Sequence, residues 1–251
     1  MLVMGILNVT PDSFADGGKH NDFEAAIARG LEMIAEGVDI IDIGGESTRP
    51  GADRVSEEEE IARTIPVIAE LAKHGTPISI DTMRSTTAEA AIKAGASIIN
   101  DVSGGLADSE MLQTAARLQV PYIAMHWRGQ SKDMNSKAVY GDVVSDVISE
   151  LNERIEAALD AGIQKDKLII DPGLGFAKDA EHNWAIIDSI DQFVALGYPL
   201  LVGGSRKRFL GGDTPDEREE ATIQLTKRLG ATGVWAVRVH SVKPHKEVLG
   251  S

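Results

Sequence analysis

Eight short apolar segments recur along the chain, and longer segments of helical period separate them. Strands that alternate with helices in this way form a parallel sheet, because each helix carries the chain back to the start of the next strand. Eight such units in 251 residues predict an α/β fold, a single TIM (β/α)8 barrel, whereas a doubly wound sheet usually has fewer strands. The predicted strands are 2–7, 38–43, 77–80, 97–99, 122–125, 167–170, 199–202 and 233–239.

The segments between the strands carry apolar residues on one helix face, as Phe23, Ile27 and Ile34 do at helical spacing. No linker or low-complexity segment divides the sequence, so we expect residues 1–251 to form one domain. The last helix is the weakest of the series. Only 11 residues follow His240 in the 251-residue chain, and Pro244 would have to lie near the start of that helix.

Charge and composition exclude several classes of protein. The chain has 25 Lys and Arg against 39 Asp and Glu, and this net charge of −14 excludes a sequence-independent nucleic-acid binder. The absence of cysteine excludes disulfides, thiolate nucleophiles and cysteine metal sites. The apolar runs are far shorter than the roughly 20 residues that cross a bilayer, and the N-terminus lacks the positive region of a signal peptide. We therefore expect a cytoplasmic protein that binds neither nucleic acid nor membrane.

Polar side chains follow seven of the eight predicted strands, at the point where each strand ends. In a parallel barrel these ends meet at one mouth, where enzymes of this fold carry their chemistry. A single such residue is explained equally well as a helix cap or a turn residue, but seven together predict a site. They are Asn8, Asp81, Asn100 with Asp101, His126, Asp171, the segment Ser205-Arg206-Lys207, and Arg238 with His240.

The kinds of side chain indicate the kind of ligand. Asp81, Asn100 and Asp171 offer acceptors that suit the N–H edge of a flat ring, such as a pterin or a guanine-like ring. Lys207 and Arg238, with His240, offer donors for an anion such as a phosphate or a pyrophosphate. Alternatively, the basic residues at 206–208 form a solvent-exposed segment at the start of a helix.

Three other features have simpler interpretations. The glycine-rich segments fit neither the dinucleotide fingerprint nor the Walker A spacing, so we predict no site of either kind. The four glutamates at 57–60 follow Ser56, which favours capping and a helix-dipole interaction over a carboxylate cluster. His126 has no second histidine at metal-ligand spacing, so we expect a hydrogen-bonded residue at a strand end.

Eight motifs in order resemble the bacterial dihydropteroate synthases, most of all their actinobacterial branch, and this resemblance extends from about Met4 to Val242. The motifs are GILNVTPDSFADGG (5–18), DIGGESTRPGA (42–52), SIDTMR (79–84), INDVSGG (99–105), MHWRG (125–129), LIIDPGLGFAKDAEHNW (168–184), GGSRKRFLG (203–211) and VRVHSV (237–242). The resemblance implies a homodimeric transferase that requires Mg²⁺. Its reaction condenses 6-hydroxymethyl-7,8-dihydropterin pyrophosphate with p-aminobenzoate to 7,8-dihydropteroate and pyrophosphate.

The resemblance also implies a role for each residue that matches a family motif. The pterin would contact Asp81, Asn100, Asp171 and Lys207, with Thr48 also touching the pterin pyrophosphate. The pyrophosphate would be held by Arg238 and His240, and Mg²⁺ by Asn8 with Asp16. The p-aminobenzoate site would comprise Phe14, Thr48, Arg49, Pro50, Phe176 and Ser205. The catalytic set would be Asp81, Asp171, Lys207, Arg238 and His240.

Two departures and three alternatives accompany this interpretation. Ser241 stands where the family often has Asp, and we expect Ser241 to cap the last helix instead. The short C-terminus puts barrel closure and the helix-mediated dimer in question. The alternatives are a non-catalytic pterin-binding paralogue, a pterin-dependent methyltransferase, and a phosphosugar enzyme that forms an imine on Lys207.

Overall fold

An eight-stranded parallel sheet forms the centre of the molecule. The computed structural model describes residues 1–10, 18–46, 55–130 and 134–250, with the backbone alone at 18–21 and 135. Neighbouring strands follow the order β6-β5-β4-β3-β2-β1-β8-β7, and a parallel bridge between Ile170 and Leu200 joins the two ends into a barrel. The strands are β1 (Leu2–Asn8), β2 (Ile40–Gly44), β3 (Ile78–Asp81), β4 (Ile98–Asp101), β5 (Tyr122–Met125), β6 (Leu168–Asp171), β7 (Leu201–Val202) and β8 (Ala236–Val239).

Helices alternate with these strands, so the predicted TIM barrel is confirmed. The helices are α1 (Gly18–Ala35), α2 (Glu57–Leu71), α3 (Ser85–Ala94), α4 (Met111–Leu118), α5 (Val143–Asp160), α6 (Ala180–Asp188), α7 (Ile190–Val194), α8 (Glu219–Leu229) and α9 (Lys243–Leu249). Short 3-10 turns lie at Ala72–His74, Met134–Lys137, Lys165–Lys167 and Arg208–Leu210. As predicted, α9 is short, and it has a proline in its first turn. Among the described helices, none is long and apolar enough to cross a membrane.

Alternation along the strands separates two apolar layers. Ile41 and Ile43 point outward and belong to the large cluster between the sheet and the helices, whereas Ile40 points into the barrel. The inward residues of the lower barrel form a separate apolar cluster that comprises Met4, Ile40, Ile98, Ile123, Ile169, Leu201 and Ala236.

A polar layer lies directly above this inner cluster. On four of these strands, the residue two positions beyond the inward apolar one is polar, and it faces the same way because the side chains of a strand alternate with a period of two. The pairs are Ile40 and Asp42, Ile98 and Asn100, Ile169 and Asp171, and Ala236 and Arg238. The lower part of the barrel interior is therefore filled by apolar side chains, and the upper part is lined by polar and charged ones.

Several predicted strand boundaries were too generous. The strand predicted at 38–43 begins at Ile40, because the Val38 backbone N–H donates to the carbonyl of Met33 at 3.0 Å and ends α1. The strand predicted at 199–202 is reduced to Leu201–Val202, and that predicted at 233–239 begins at Ala236. Val38 and Val234, which lie outside the observed strands, are buried, and apolar composition alone does not distinguish a buried connector from a paired strand.

Candidate active site

Arg238 lies between two buried carboxylates at the mouth of the barrel. Its Nε donates to Asp42 Oδ2 at 2.6 Å, and its Nη2 donates to Asp81 Oδ2 at 2.6 Å. Asn100 Nδ2 donates to the same Asp42 oxygen at 3.2 Å. Three predicted site residues therefore meet around Asp42, which is fully buried and which the sequence interpretation did not select. Its position two residues beyond inward-facing Ile40 is the signal that could have identified it.

The electrostatics of this cluster follow from burial. Burial raises the pKa of Asp81, and the neighbouring carboxylates of Asp42 and Glu60 raise it further, while Arg238 opposes the rise. Burial alone would lower the pKa of Arg238, but Asp42 and Asp81 raise it above its ordinary value. The cluster thus holds a permanent cation against two carboxylates, and the acceptors among its members suit a ligand edge that is rich in N–H groups.

Asp171 and Lys207 form the second half of the mouth. Asp171 Oδ1 accepts the Gly173 N–H at 2.7 Å, and burial raises the Asp171 pKa while Lys207 opposes the rise. The Lys207 ammonium donates to the Leu174 carbonyl and lies 4.6 Å from the centroid of the Phe176 ring. Burial lowers the pKa of Lys207 to about 8, and the charge of Asp171 opposes this fall.

Ser205 and His240 are direct neighbours. Ser205 Oγ lies 2.9 Å from His240 Nδ1, and the His240 backbone N–H donates to the same oxygen at 3.2 Å. The side chain of Arg29, on α1, donates to the His240 carbonyl at 3.1 Å. A residue predicted for p-aminobenzoate and one predicted for pyrophosphate are therefore in contact.

The loop after β6 requires glycine at two positions. Gly173 has φ of +68°, and a Cβ there would lie 2.4 Å from the carbonyl oxygen of His126. Gly175 has φ of +75°, and a Cβ there would lie 2.7 Å from Lys207 Cδ. Because glycine has no Cβ, the loop backbone can approach both the end of β5 and Lys207, which is predicted to contact the substrate.

Lys178 ends this loop and is buried. Its Nζ lies 2.8 Å from His126 Nδ1 and donates to the carbonyls of Gly173 at 3.0 Å and Phe176 at 3.1 Å. His126 Nε2 lies 2.9 Å from Glu150 Oε2, so His126 is the hydrogen-bonded strand-end residue that the sequence predicts. Burial lowers the pKa of Lys178 to about 7 and that of His126 to about 4. No sequence pattern had distinguished Lys178 from a solvated lysine.

The basic run at 206–208 is not one solvated surface. Arg206 has φ of +57° and its Nε donates to Glu219 Oε2 at 2.5 Å, whereas Lys207 faces the mouth. Ser241 also donates to Glu219. The first turn of α9 follows Val242 and has no side-chain cap, so the expectation that Ser241 caps this helix is wrong. The Ser241 hydroxyl instead donates a hydrogen bond to the carboxylate of Glu219 on α8.

The glutamates at 57–60 combine two roles. Ser56 caps α2 by accepting the Glu59 N–H at 3.2 Å, and all four glutamates lie in the first turn, as predicted. Glu60, however, is buried and pairs with Arg84, which also donates to the Val55 carbonyl at 2.6 Å. Glu60 therefore also forms a buried ion pair, a role that the capping and helix-dipole interpretation does not include.

Of the two predicted Mg²⁺ ligands, Asn8 lies within the described ranges. Asn8 ends β1, where it lies in register with Gly44 of β2. Within the described ranges, no cluster of three or more metal-ligating His, Asp or Glu side chains occurs. The residues that lie outside those ranges are Phe14, Asp16, Thr48, Arg49 and Pro50.

The chain is similar to known proteins along nearly its whole length. A family model described as pterin binding enzyme matches residues 4–240. The dihydropteroate synthase of Mycobacterium leprae is 46% identical over 98% of this chain and 90% of its own length. The solved structure of Xanthomonas albilineans dihydropteroate synthase with 4-aminobenzoic acid has 43% identity and a TM-score of 0.93 over 99% of this chain and 90% of that one. The same enzyme in complex with 7,8-dihydropteroate has 40% identity and a TM-score of 0.90, over 99% and 91% of the two chains.

Proposed function

The chain belongs to the dihydropteroate synthase family of pterin-binding enzymes, and we propose how the mouth of its barrel divides the family's reaction among its residues. It is a transferase of folate biosynthesis that joins 6-hydroxymethyl-7,8-dihydropterin pyrophosphate to p-aminobenzoate. The convergence of buried acceptors and cations on one barrel end supports this division most directly.

The pterin ring would lie against the polar layer of the barrel. Asp81, Asn100 and Asp171 supply acceptors for its N–H groups, and the apolar cluster beneath them excludes water from that face. Burial raises the pKa of both aspartates, so a ligand that brings positive charge or N–H donors would offset the desolvation cost of their charged forms. Lys207 would close the pocket from the side of the β6 loop.

The pyrophosphate end would use Arg238, His240 and Lys207. The two bonds of Arg238 to Asp42 and Asp81 use two of the five N–H donors of a guanidinium. Asn8 offers an amide oxygen at the same end of the barrel. Mg²⁺ commonly takes most of its ligands from phosphate oxygens and water. One protein oxygen, that of Asn8, with Asp16 as a further candidate ligand, therefore fits a Mg²⁺ site at the pyrophosphate. When bound, Mg²⁺ would supply charge neutralisation for the pyrophosphate.

The chemistry needs no nucleophile from the protein. The bond between the pterin methylene carbon and the pyrophosphate oxygen breaks, and its electron pair leaves with pyrophosphate. The amine of p-aminobenzoate forms the new C–N bond and then loses a proton. Arg238, His240 and Lys207 stabilise the leaving anion, and the carboxylates of Asp81 and Asp171 stabilise positive charge on the ring.

The p-aminobenzoate site would be completed by two loops. Phe176 and Ser205 lie beside Lys207 and His240, respectively, and so border the site where the amine must approach the methylene carbon. Phe14, Thr48, Arg49 and Pro50 are proposed to cover it from the first and second loops.

Pyrophosphate release tests the proposal. Purified protein is supplied with the pterin pyrophosphate and Mg²⁺, with and without p-aminobenzoate, and with Mg²⁺ removed by chelation. We expect release that requires p-aminobenzoate and Mg²⁺ and that is lost in Lys207→Ala but retained in Lys93→Ala, an exposed lysine on α3. Tight pterin binding without release would favour the non-catalytic paralogue and contradict the proposal.

The family resemblance also supports a cytoplasmic homodimer in which residues 1–251 form one domain. Light scattering of the purified protein tests the homodimer, and fractionation of cells that express it tests the cytoplasmic location. A monomer at assay concentration, or recovery outside the cytoplasm, would contradict them.

A further inference from the structure

Lys178 is buried where the end of β5 meets the loop after β6. Its Nζ contacts His126 at the end of β5 and two backbone carbonyls of the β6 loop, those of Gly173 and Phe176. An ammonium has three N–H donors, and the structure supplies three acceptors for them at 2.8–3.1 Å. All three donors are thus used, two on the backbone of the loop and one on the His126 ring.

The hydrogen-bond pattern also fixes the state of the histidine. Because Lys178 donates to Nδ1, His126 must carry its proton on Nε2, where Glu150 Oε2 accepts it at 2.9 Å. Glu150 is held in turn by Arg128, whose Nε lies 3.0 Å from the same oxygen. A chain of bonds therefore connects α5 to the β6 loop through His126 and Lys178.

The loop that Lys178 fixes carries groups of the proposed substrate site. Leu174 presents its carbonyl to Lys207, and Phe176 presents its ring to the same ammonium at 4.6 Å. The acceptors of the pterin pocket, in contrast, lie at the ends of β3, β4 and β6. A change in the loop would therefore act on Phe176 more directly than on the pterin floor.

We propose that Lys178 is a positioning residue that holds the loop at 172–178 in the conformation that p-aminobenzoate requires. This inference rests on the proposed function. Lys178 acts through the backbone at Gly173 and Phe176, and it does not itself contact either substrate in this scheme.

The surroundings of Lys178 predict how the contact responds to pH. It faces His126 and Arg128 from the β5 side, Glu150 from α5, Asp171 from β6 and Lys207 from the loop after β7. Burial lowers the pKa of Lys178 to about 7, with opposing contributions from Asp171 and Glu150. A neutral amine has two N–H donors for three acceptors, so the loop loses one of its bonds as pH rises.

Lys178→Met removes the donors and keeps the length of the side chain. At pH 6.5 we expect the KM for p-aminobenzoate to rise about 10-fold, because the loss of all three donors reaches this substrate only through the loop and should not exceed the effect of one direct hydrogen bond to a charged group. The Kd of the pterin pyrophosphate, measured by calorimetry without p-aminobenzoate, and the kcat should stay within about 3-fold, since the strand-end acceptors are untouched. Lys93→Met on exposed α3 is the matched control and should resemble the parent.

Three results would overturn the inference. They are a p-aminobenzoate KM in Lys178→Met that stays within 2-fold of the parent, a loss confined to kcat, and an equal loss of pterin affinity that tracks a fall in melting temperature. If Lys178→Met does not fold, Lys178→Gln retains two donors and should give a smaller rise in the same KM. Between pH 6.5 and 9 the parent KM should rise part of the way toward that of Lys178→Met, because the neutral amine keeps two of its three donors, and the KM of Lys178→Met should itself change less. Absence of turnover in the parent and in Lys93→Met would instead refute the proposed function.

Discussion

Arg238 Nη2 lies 2.6 Å from Asp81 Oδ2, so a residue proposed for the pyrophosphate is bonded to one proposed for the pterin ring. A pterin N–H that bonds to Asp81 would compete with this contact. Asp42, bonded to Arg238 Nε at 2.6 Å, would keep the guanidinium in place while its Nη2 turns to the anion. The two halves of the substrate site are therefore coupled through one side chain.

Asp42→Asn tests this coupling. The amide keeps the size of the side chain but removes the charge that orients Arg238, so we expect kcat/KM for the pterin pyrophosphate to fall about 10-fold, equivalent to about 1.4 kcal/mol. Steady-state kinetics at saturating p-aminobenzoate measure it. Asp188→Asn, which removes an exposed partner of Arg228, is the control. An unchanged kcat/KM in Asp42→Asn would show that Asp42 is not needed to orient Arg238.

Asp42 also shows what could be predicted from the sequence. The barrel follows from the number and spacing of apolar segments, and the site follows from the polar residues that end them. Asp42 was missed because it lies inside a strand and not at its end. The same alternation that buries Ile40 inside the barrel directs Asp42 inward, so a strand-by-strand assignment of faces would have selected it.

Lys178 could not be found in this way. A lone lysine in a glycine-rich loop has no periodicity, and its burial depends on β5, β6 and α5 meeting in space. The same holds for Ser241, whose expected cap depended on local sequence but whose hydroxyl bonds to Glu219 on another helix. The contacts of side chains that join distant segments depend on tertiary packing. They cannot be predicted from the local sequence around each residue.

The activity should have an alkaline limb that reports Lys207. Burial lowers the Lys207 pKa to about 8, so the ammonium that would neutralise pyrophosphate loses its charge above that pH. With p-aminobenzoate saturating, we expect kcat/KM for the pterin pyrophosphate to approach a 10-fold fall per pH unit above about 8. Arginine stays charged throughout this range, so Lys207→Arg should lose the limb even if its activity is lower. A limb that is identical in Lys207→Arg would assign it to another group.

His126 should make the protein sensitive to mild acid. Burial lowers its pKa to about 4, against about 6.5 in the unfolded chain. Between these values the unfolded state binds a proton that the folded state does not, so the free energy of unfolding falls as pH falls. From pH 7 to 5 this contribution is about 2 kcal/mol, because the slope approaches about 1.4 kcal/mol per pH unit only below the unfolded-state pKa.

Urea unfolding at pH 7 and pH 5 measures this effect. His126→Gln should lose less stability than the parent over the same interval, whereas His74→Gln, at an exposed position, should behave as the parent does. The parent and His126→Gln share the other acidic groups, so the difference between their losses isolates His126. Equal losses would mean that the neutral, buried state of His126 does not set the acid response.

Ser241→Asp should destabilise the fold through Glu219. Burial alone would raise the pKa of Glu219, but the hydrogen bonds from Ser241 and Arg206 lower it below its ordinary value. An aspartate at 241 would therefore face a charged carboxylate. We expect a loss of about 1 kcal/mol, or a melting temperature lower by about 2–4 °C for a chain of this size. Because a glutamine amide can donate to the new carboxylate, Glu219→Gln should cost less in the Ser241→Asp background than alone. A double-mutant cycle by thermal unfolding gives the coupling energy, and additive effects would mean that the two side chains do not interact.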